Sequence, residues 1–335
     1  MLEIVLKRPG QFLATEQAPP RPAPGEALVR IRRIGVCGTD LHAFAGRQPF
    51  FAYPRILGHE LGVEVVEVAP AETAPDSTAE STPPPRPGDR CAIEPYVRCG
   101  GCRACRTGRY NCCETLQCLG VHVDGGMREL FCVPLALLHR SDTLSLDQLA
   151  LVETLGIGAH AVERSGLQPG ESVLVVGAGP IGLAVLQFAL LAGGQVHVLE
   201  QDAARREFAG QFGVTTLSRP DGLLFDVVFD ATGNAAAMAA SLERVAHGGR
   251  LVFVGLVLGS VALDDPLLHR REVTLYASRN SCHDFPRIMR LIADGRLDTR
   301  RWITHRLSLA QVPLAFAGLR ESPGLVKAMI EVGGD

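Results

Sequence analysis

The sequence has no excess of positive charge with which to neutralise a phosphate backbone: 33 Lys and Arg stand against 36 Asp and Glu, for a net charge of -3. That balance argues against nucleic acid or an anionic membrane as a main partner. A secretory leader is also missing, because the opening MLEIVLKRPG holds neither an apolar core nor a small-residue cleavage site, and a cytoplasmic location is expected. There is no uninterrupted apolar run of membrane-spanning length. The stretch that raises the question, Ser172 to Leu191, is broken by Gly177, Gly179, Pro180, Gly182 and Gln187. No repeat at a fixed period is present, which excludes solenoids and propellers.

What remains is the make-up of a soluble globular enzyme, 47% hydrophobic and 21% charged over 335 residues. That length exceeds one ordinary hydrophobic core and suits two domains. Ten cysteines in a long chain without a leader are expected to stay reduced, so those that cluster read as metal ligands.

The first 65 or so residues alternate as strands do, in Ala27 to Arg32 and in Gly62 to Val68, between Pro and Gly turns. Ala69 to Gly88 is a Pro, Ala, Ser and Thr mixture with too few large apolar side chains to bury, and reads as a surface loop. From about Glu153 the pattern changes. Short apolar runs at Val173 to Val176, Val196 to Leu199, Val227 to Phe229 and Leu251 to Val254 alternate with Ala-rich helical segments, Ala203 to Phe212 and Ala235 to Ala246. Strand and helix repeated in this way give a parallel sheet covered on both faces. A helix from Phe285 to Asp294 and a strand from Val326 to Val332 close the chain.

The strand ending at Val176 runs directly into Gly177-Ala178-Gly179-Pro180-Ile181-Gly182 and then into a helix, and the next strand ends on Glu200. This is the context a dinucleotide fingerprint requires. Gly177 permits the tight turn, Gly179 lets the backbone approach a pyrophosphate, and Gly182 lets the helix pack on the strand, with free amides at the helix start. Glu200 is expected to bond the adenosine ribose hydroxyls and to repel a 2′-phosphate, favouring NAD over NADP. Arg205 and Arg206 could weaken that preference, or lie on a solvated helix face.

Two metal sites are expected. Cys99, Cys102, Cys105 and Cys113 follow the pattern Cx2Cx2Cx7C, and four thiolates this close can close a tetrahedral shell around a structural zinc ion. Cys112 competes for the fourth place, and a disulfide pair is the alternative use of these thiols. A second set is dispersed: Cys37 within GVCGTDLH, and His59 and Glu60 within GHELG, three competent ligands that would leave a fourth position open. Spacing alone makes this second set only a suggestion.

In these motifs, together with Asp230 to Gly233 (DATG), the chain resembles the zinc-containing alcohol and polyol branch of the medium-chain dehydrogenase/reductase family over nearly its whole length. GRQPFFAYPRILGHE, VETLGIGAHAV and SRNSCHDFPR bring it nearest in flavour to sorbitol, threonine and sugar-acid dehydrogenases. The resemblance implies an α/β protein: a GroES-like β-rich catalytic domain, residues 1–150 and 281–335, carrying both zinc sites, plus a doubly wound Rossmann nucleotide-binding domain, residues 151–280. It implies that Cys37 and His59 hold a catalytic zinc, with Glu60 or Glu153 as the acidic ligand, and that Cys113 is the fourth structural ligand. Asp40 would orient His59, Thr39 and His42 would form a proton relay, and Gly177, Gly179, Pro180, Ile181, Gly182, Glu200 and Arg205 would contact NAD. Relatives of this kind are mostly dimers or tetramers, so the resemblance implies a homodimer or homotetramer.

The activity so implied is hydride transfer from a secondary alcohol, on a polyol, sugar or sugar acid, to NAD, giving a ketone. Threonine or a simple secondary alcohol is the alternative substrate, and a non-catalytic NAD-binding homologue the alternative role. Phe44, Phe50, Phe51, Glu94 and Tyr96 are open both to lining a substrate pocket and to packing or surface. Cys91, Cys118, Cys132 and Cys282 read as small buried apolar residues.

Overall fold

In the strand Glu26–Gly35 the side chains of Ala27, Val29, Ile31 and Ile34 are buried while Arg30 faces out, and this alternation makes it the centre of a seven-stranded sheet. The computed structural model describes residues 1–48, 51–70, 84–220 and 222–333. Its chain divides into two units, Met1–Glu153 with Phe285–Asp335, and Thr154–Asp284.

In the first unit the large sheet runs in the order Leu138–Arg140, Arg90–Ile93, Glu60–Val68, Glu26–Gly35, Lys327–Glu331 and Ile303–Ser308, with Leu130–Pro134 also paired to Glu26–Gly35. The two ends of the chain thus lie side by side, with Met329 opposite Gly35 and Ile330 opposite Ile34. A smaller sheet joins Gln11–Glu16, Leu2–Arg8 and Arg55–Ile56. The core between these elements includes Ile4, Leu6, Ile31, Ile34, Val63, Phe316 and Ile330, each fully buried. Burial of this kind stabilises by roughly 1.5–3 kcal/mol for each large side chain. Phe44 belongs to this packing: its ring lies 5.3 Å from that of Phe12 and 5.4 Å from that of Phe316. Of the Ala69 to Gly88 segment, residues 71–83 lie outside the described residues. Its flanks are tied down, the Ala69 amide donating to the Glu26 carbonyl at 2.9 Å and the Gly88 amide to the Val65 carbonyl at 2.8 Å.

The second unit is a six-stranded sheet in the order Thr215–Leu217, Gln195–Leu199, Ser172–Val176, Phe225–Asp230, Val245–Phe253 and Thr274–Ala277, every pair parallel. Numbered along the chain, that order is 3-2-1-4-5-6, the arrangement of dinucleotide-binding folds. Val173, Val175, Val227, Val228 and Phe229 are all fully buried, as central strands covered on both faces must be. The apolar stretch Ser172 to Leu191 resolves into the strand Ser172–Val176, the glycine turn and the helix Pro180–Leu191. Among the described residues no helix is long and apolar enough to cross a membrane.

One helix is shorter than its composition suggests. The Ala-rich run from Ala235 is helical only to Ser241; Leu242–Arg244 is a 3-10 turn and Val245 already belongs to a strand. Asn234 caps the start by accepting from the Ala236 and Ala237 amides at 3.0 Å each. At the other end Ser241 donates to the buried Asp230 carboxylate at 2.8 Å, and Val245 pairs with Phe225. Sheet pairing of a β-branched residue here outweighs the helical preference of the alanines before it.

Gly182 lies on the first turn of Pro180–Leu191, where an added Cβ would overlap the Gly177 carbonyl oxygen and meet Val175 Cγ1 at 3.5 Å. Gly182→Ala is therefore expected to cost roughly 1–3 kcal/mol, as overpacking does, in urea denaturation. An unchanged midpoint would show that the helix can move away freely.

Candidate active site: two metal-ligating clusters and a dinucleotide loop

Cys37 caps the helix Gly38–Phe44, and the cap is reciprocal: the Cys37 amide donates to Asp40 Oδ2 at 2.9 Å. His59 and Glu60 stand at the start of the strand Glu60–Val68, whose antiparallel pairing sets Glu60 opposite Gly35, two residues before Cys37. That register brings one donor atom each from Cys37, His59 and Glu60 within 4.8 Å of one another. Gly35 must be glycine, because a Cβ there would occupy the space of the Glu60 carboxylate.

His59 is 4% exposed, and Asp40 and Glu60 are fully buried. Asp40 Oδ1 faces His59 Nδ1 at 3.8 Å, too far for a hydrogen bond, and neither atom has a hydrogen-bond partner among the described residues. Burial works to lower the His59 imidazole, but the Asp40 carboxylate and the neighbouring Cys37 thiol outweigh it and hold the pKa well above the usual histidine range. Burial raises the Asp40 carboxyl. A thiol, an imidazole and a carboxylate converging on one point, backed by a carboxylate behind the imidazole, are the donor set of a three-ligand zinc site. These residues fit that ion.

Lys327 completes the cluster and was not foreseen. Its ammonium, 1% exposed, donates to Glu60 Oε1 at 2.5 Å from the strand Lys327–Glu331. Burial lowers its pKa, but the Glu60 charge prevails and raises it. The available signal was a lone lysine inside the apolar run VKAMIEV.

Glu153, on the helix Leu146–Ser165, does not join the converging atoms. It stands beside them: burial raises its carboxyl, with the His59 charge opposing and the Glu60 charge adding. Its Oε1 accepts from the Tyr96 hydroxyl. Cys118, read as buried and apolar, is half-buried and faces the same cluster, where burial pushes its thiol up to about 12. Thr39 and His42 lie one turn apart on Gly38–Phe44, with Thr39 half-buried and His42 exposed. Partial burial, then the charges of Arg47 and Arg320, lower the His42 imidazole. Glu94 is taken up locally, accepting from Tyr110 at 2.7 Å and pairing with His139 at 3.0 Å. Phe51 packs against Tyr53 at 4.8 Å between ring centres, and Phe50 lies outside the described residues.

The sulfurs of Cys99, Cys102, Cys105 and Cys113 gather within 4.8 Å, while Cys112 is exposed and outside the group. The Cys99–Cys113 and Cys99–Cys105 sulfur distances are 3.5 and 4.0 Å, whereas a disulfide needs about 2.05 Å. Backbone amides serve the sulfurs instead: Cys102 donates to Cys99 at 3.3 Å, Cys105 to Cys102 at 3.5 Å, and Cys99 to Cys113 at 3.4 Å. The Cys102 and Gly101 amides bring the Cys99 thiol down to about 6, which favours the thiolate a metal needs. Four sulfurs so arranged fit a closed tetrahedral zinc site.

In the second unit Gly177 turns with φ of +94°, and Gly179 caps the helix Pro180–Leu191 with open space where a Cβ would stand. Pro180 takes the first helical turn, where its missing N–H costs nothing, and Ile181 is half-buried behind it. Glu200 Oε2 accepts from the Ala178 amide at 2.8 Å and Oε1 from the Asp202 amide at 2.9 Å. A cavity of about 550 Å³ is lined by Gly177, Gly179, Glu200, Arg205, Thr232 and Asn234, among others. Arg206 instead turns back to the carbonyls of Glu200 and Gln201, at 2.9 and 3.0 Å. Open space before a helix N-terminus, flanked by a carboxylate, fits a pyrophosphate and its ribose.

Comparison with known proteins shows the family. Residues 23–143 match the alcohol dehydrogenase GroES-like domain family, and residues 180–294 the zinc-binding dehydrogenase family. The chain is 39% identical to L-galactonate-5-dehydrogenase of Escherichia coli (strain K12), covering 92% of each sequence. It is 32% identical to sorbitol dehydrogenase of Bacillus subtilis (strain 168), over 85% of this chain and 84% of that one. The crystal structure of the alcohol dehydrogenase RspB from E. coli CFT073, complexed with NADH, superposes with a TM-score of 0.89 at 26% identity, covering 99% of each chain.

Breaking a buried ion pair by removing one partner strands the other charge. Lys327→Met is therefore expected to cost roughly 3–5 kcal/mol in denaturation of the metal-free protein, with part of it recovered in Lys327→Met/Glu60→Gln. A loss as small as that of an exposed pair, about 1 kcal/mol or less, would mean that Glu60 does not depend on Lys327.

Proposed function

Because this chain belongs to the zinc-dependent alcohol dehydrogenase family, we propose that it oxidises a secondary hydroxyl of a polyol, sugar or sugar acid to a ketone, passing the hydride to NAD. The observation that carries the reading is the convergence of Cys37, His59 and Glu60 within 4.8 Å in front of Asp40, in a chain 39% identical to a sugar-acid dehydrogenase.

Cys37, His59 and Glu60 are the residues that would hold the catalytic zinc, with Glu153 beside them, and Cys99, Cys102, Cys105 and Cys113 would hold the structural one. Zinc supplies a Lewis acid that lowers the pKa of a substrate hydroxyl, and NAD supplies the hydride acceptor. Asp40 fixes the His59 ring by charge from behind. Thr39 accepts the proton that the hydroxyl releases and passes it to His42. The lowered pKa of His42 keeps its imidazole neutral near pH 7, and its exposure lets it deliver the proton to water. The balance is alcohol plus NAD⁺ to ketone, NADH and one proton.

On the cofactor side, Gly177, Gly179, Pro180, Ile181 and Gly182 present the helix start to the pyrophosphate. Glu200 takes the ribose hydroxyls and disfavours a 2′-phosphate, so NAD is preferred over NADP, and Arg205 borders the same cavity. None of the ten cysteines is disulfide-bonded, in keeping with a reducing, cytoplasmic setting. A homodimer or homotetramer is proposed, since Leu256, Leu258 and Leu275 remain exposed on or before the edge strand Thr274–Ala277.

The test is NAD and NADP reduction against polyols, aldonic acids, threonine and simple secondary alcohols, with and without chelator. Chelator-sensitive reduction of NAD by a sugar-derived substrate is expected. Metal analysis should find two zinc ions per chain, one for each cluster. Cys37→Ser should keep one of them and lose turnover, and Cys105→Ser should lose the other. Inactivity of fully metallated protein across the panel would sink the reading.

A further inference from the structure

Tyr96 packs against the four-cysteine cluster and hydrogen-bonds to Glu153, the carboxylate that stands beside the Cys37 cluster. Its ring, 3% exposed, packs with Cys113 and Leu116 in a small core of its own, against which Cys102, Cys105 and Cys118 also lie. Its backbone belongs to the two-stranded ladder Tyr96–Val97 with Gln117–Cys118, which encloses the four-cysteine loop and sets Tyr96 opposite Cys118. The Leu119 amide reinforces this ladder by donating to the Pro95 carbonyl at 3.0 Å. The ring is therefore seated by the structural lobe. Its hydroxyl points away from that lobe to Glu153 Oε1, and it is the one hydrogen-bond donor to Glu153 among the described residues.

Glu153 is a carboxylate with 5% exposure, close enough to His59 and Glu60 for their charges to act on it, yet outside the three converging donors. A buried carboxylate deprived of its donor is left either to take up a proton or to reach a cation. Here the partner at hand would be the metal of the Cys37 cluster, for which a carboxylate is a competent ligand. A fourth protein ligand would close the position that a substrate hydroxyl needs.

We propose that Tyr96 is a positioning residue that holds Glu153 beside, and out of, the metal shell of Cys37, His59 and Glu60, so that the substrate position stays open. This rests on the reading of those three residues as the catalytic metal centre. The four-cysteine lobe thereby acquires a task at the reaction centre: it seats the ring whose hydroxyl restrains the carboxylate.

The test compares wild type, Tyr96→Phe, Glu153→Gln and the double variant, each with zinc in the four-cysteine loop and cobalt exchanged into the Cys37 cluster. Tyr96→Phe keeps the ring packing and removes only the hydroxyl. It is expected to change the cobalt absorption bands and to raise KM about tenfold, within the range for residues that support metal ligands, with the loop zinc retained. In the Glu153→Gln background the same change should move neither quantity further, because the carboxylate that would migrate is gone. Unaltered bands and KM in Tyr96→Phe, or effects that add to those of Glu153→Gln, would overturn the proposal. Cobalt that fails to bind through Cys37 and His59 in wild type would instead defeat the metal-centre reading, and the bands report on Tyr96 whatever the substrate proves to be.

Discussion

Glu60 and Lys327 are both buried, and neither could remain ionised there alone. Removing a carboxylate and an ammonium from water is tolerable only when each satisfies the other at close range, here 2.5 Å. That requirement ties together three strands, Glu60–Val68, Glu26–Gly35 and Lys327–Glu331, which lie side by side in the large sheet. The middle strand delivers Cys37, and the first begins with Glu60 directly after His59. The pair thereby sets the register of the whole cluster, and the glycine at position 35 leaves room for it.

The local features of the site were legible in the sequence because each is written within a few residues. Strand, glycine turn, helix and closing Glu200 occupy one contiguous stretch, and their geometry follows from backbone constraints at Gly177 and Gly182. The four-cysteine loop is likewise short, and the structure separates Cys113 from Cys112 by the convergence of its sulfur and by burial. The partners of the Cys37 cluster were not legible to the same degree. Lys327 lies 267 residues from Glu60, and nothing in a single sequence pairs two such positions. A charge within an apolar strand marked it as unusual without naming its partner. Tyr96 could be pocket, core or surface until Glu153, 57 residues away, was seen to accept from it. The alanines before Val245 misled for the opposite reason: propensity is local, and sheet pairing overrode it.

The two clusters differ in exposure and in donor type. Around Cys99 the sulfurs receive backbone amides and have a full set of four, so the lobe is held by chemistry internal to one loop. Around Cys37 the donors come from separate strands and turns, are backed by buried charges, and number three. A closed shell suits architecture and an open one suits reaction. The dinucleotide loop adds a third kind of site, built almost wholly from backbone, in which Glu200 already engages the Ala178 and Asp202 amides.

The first unit is assembled from both ends of the chain, whereas Thr154–Asp284 is contiguous. During synthesis the nucleotide-binding sheet is complete before the strand bearing Lys327 has been made, and contiguous units fold as they emerge. Until that strand arrives, Glu60 lacks the Lys327 ammonium and the central strand Glu26–Gly35 lacks one neighbour. The Cys37 cluster is therefore the last part of the protein to be assembled, and a ribosome that stops short of the final strand releases a chain with a finished nucleotide-binding sheet and an unfinished cluster.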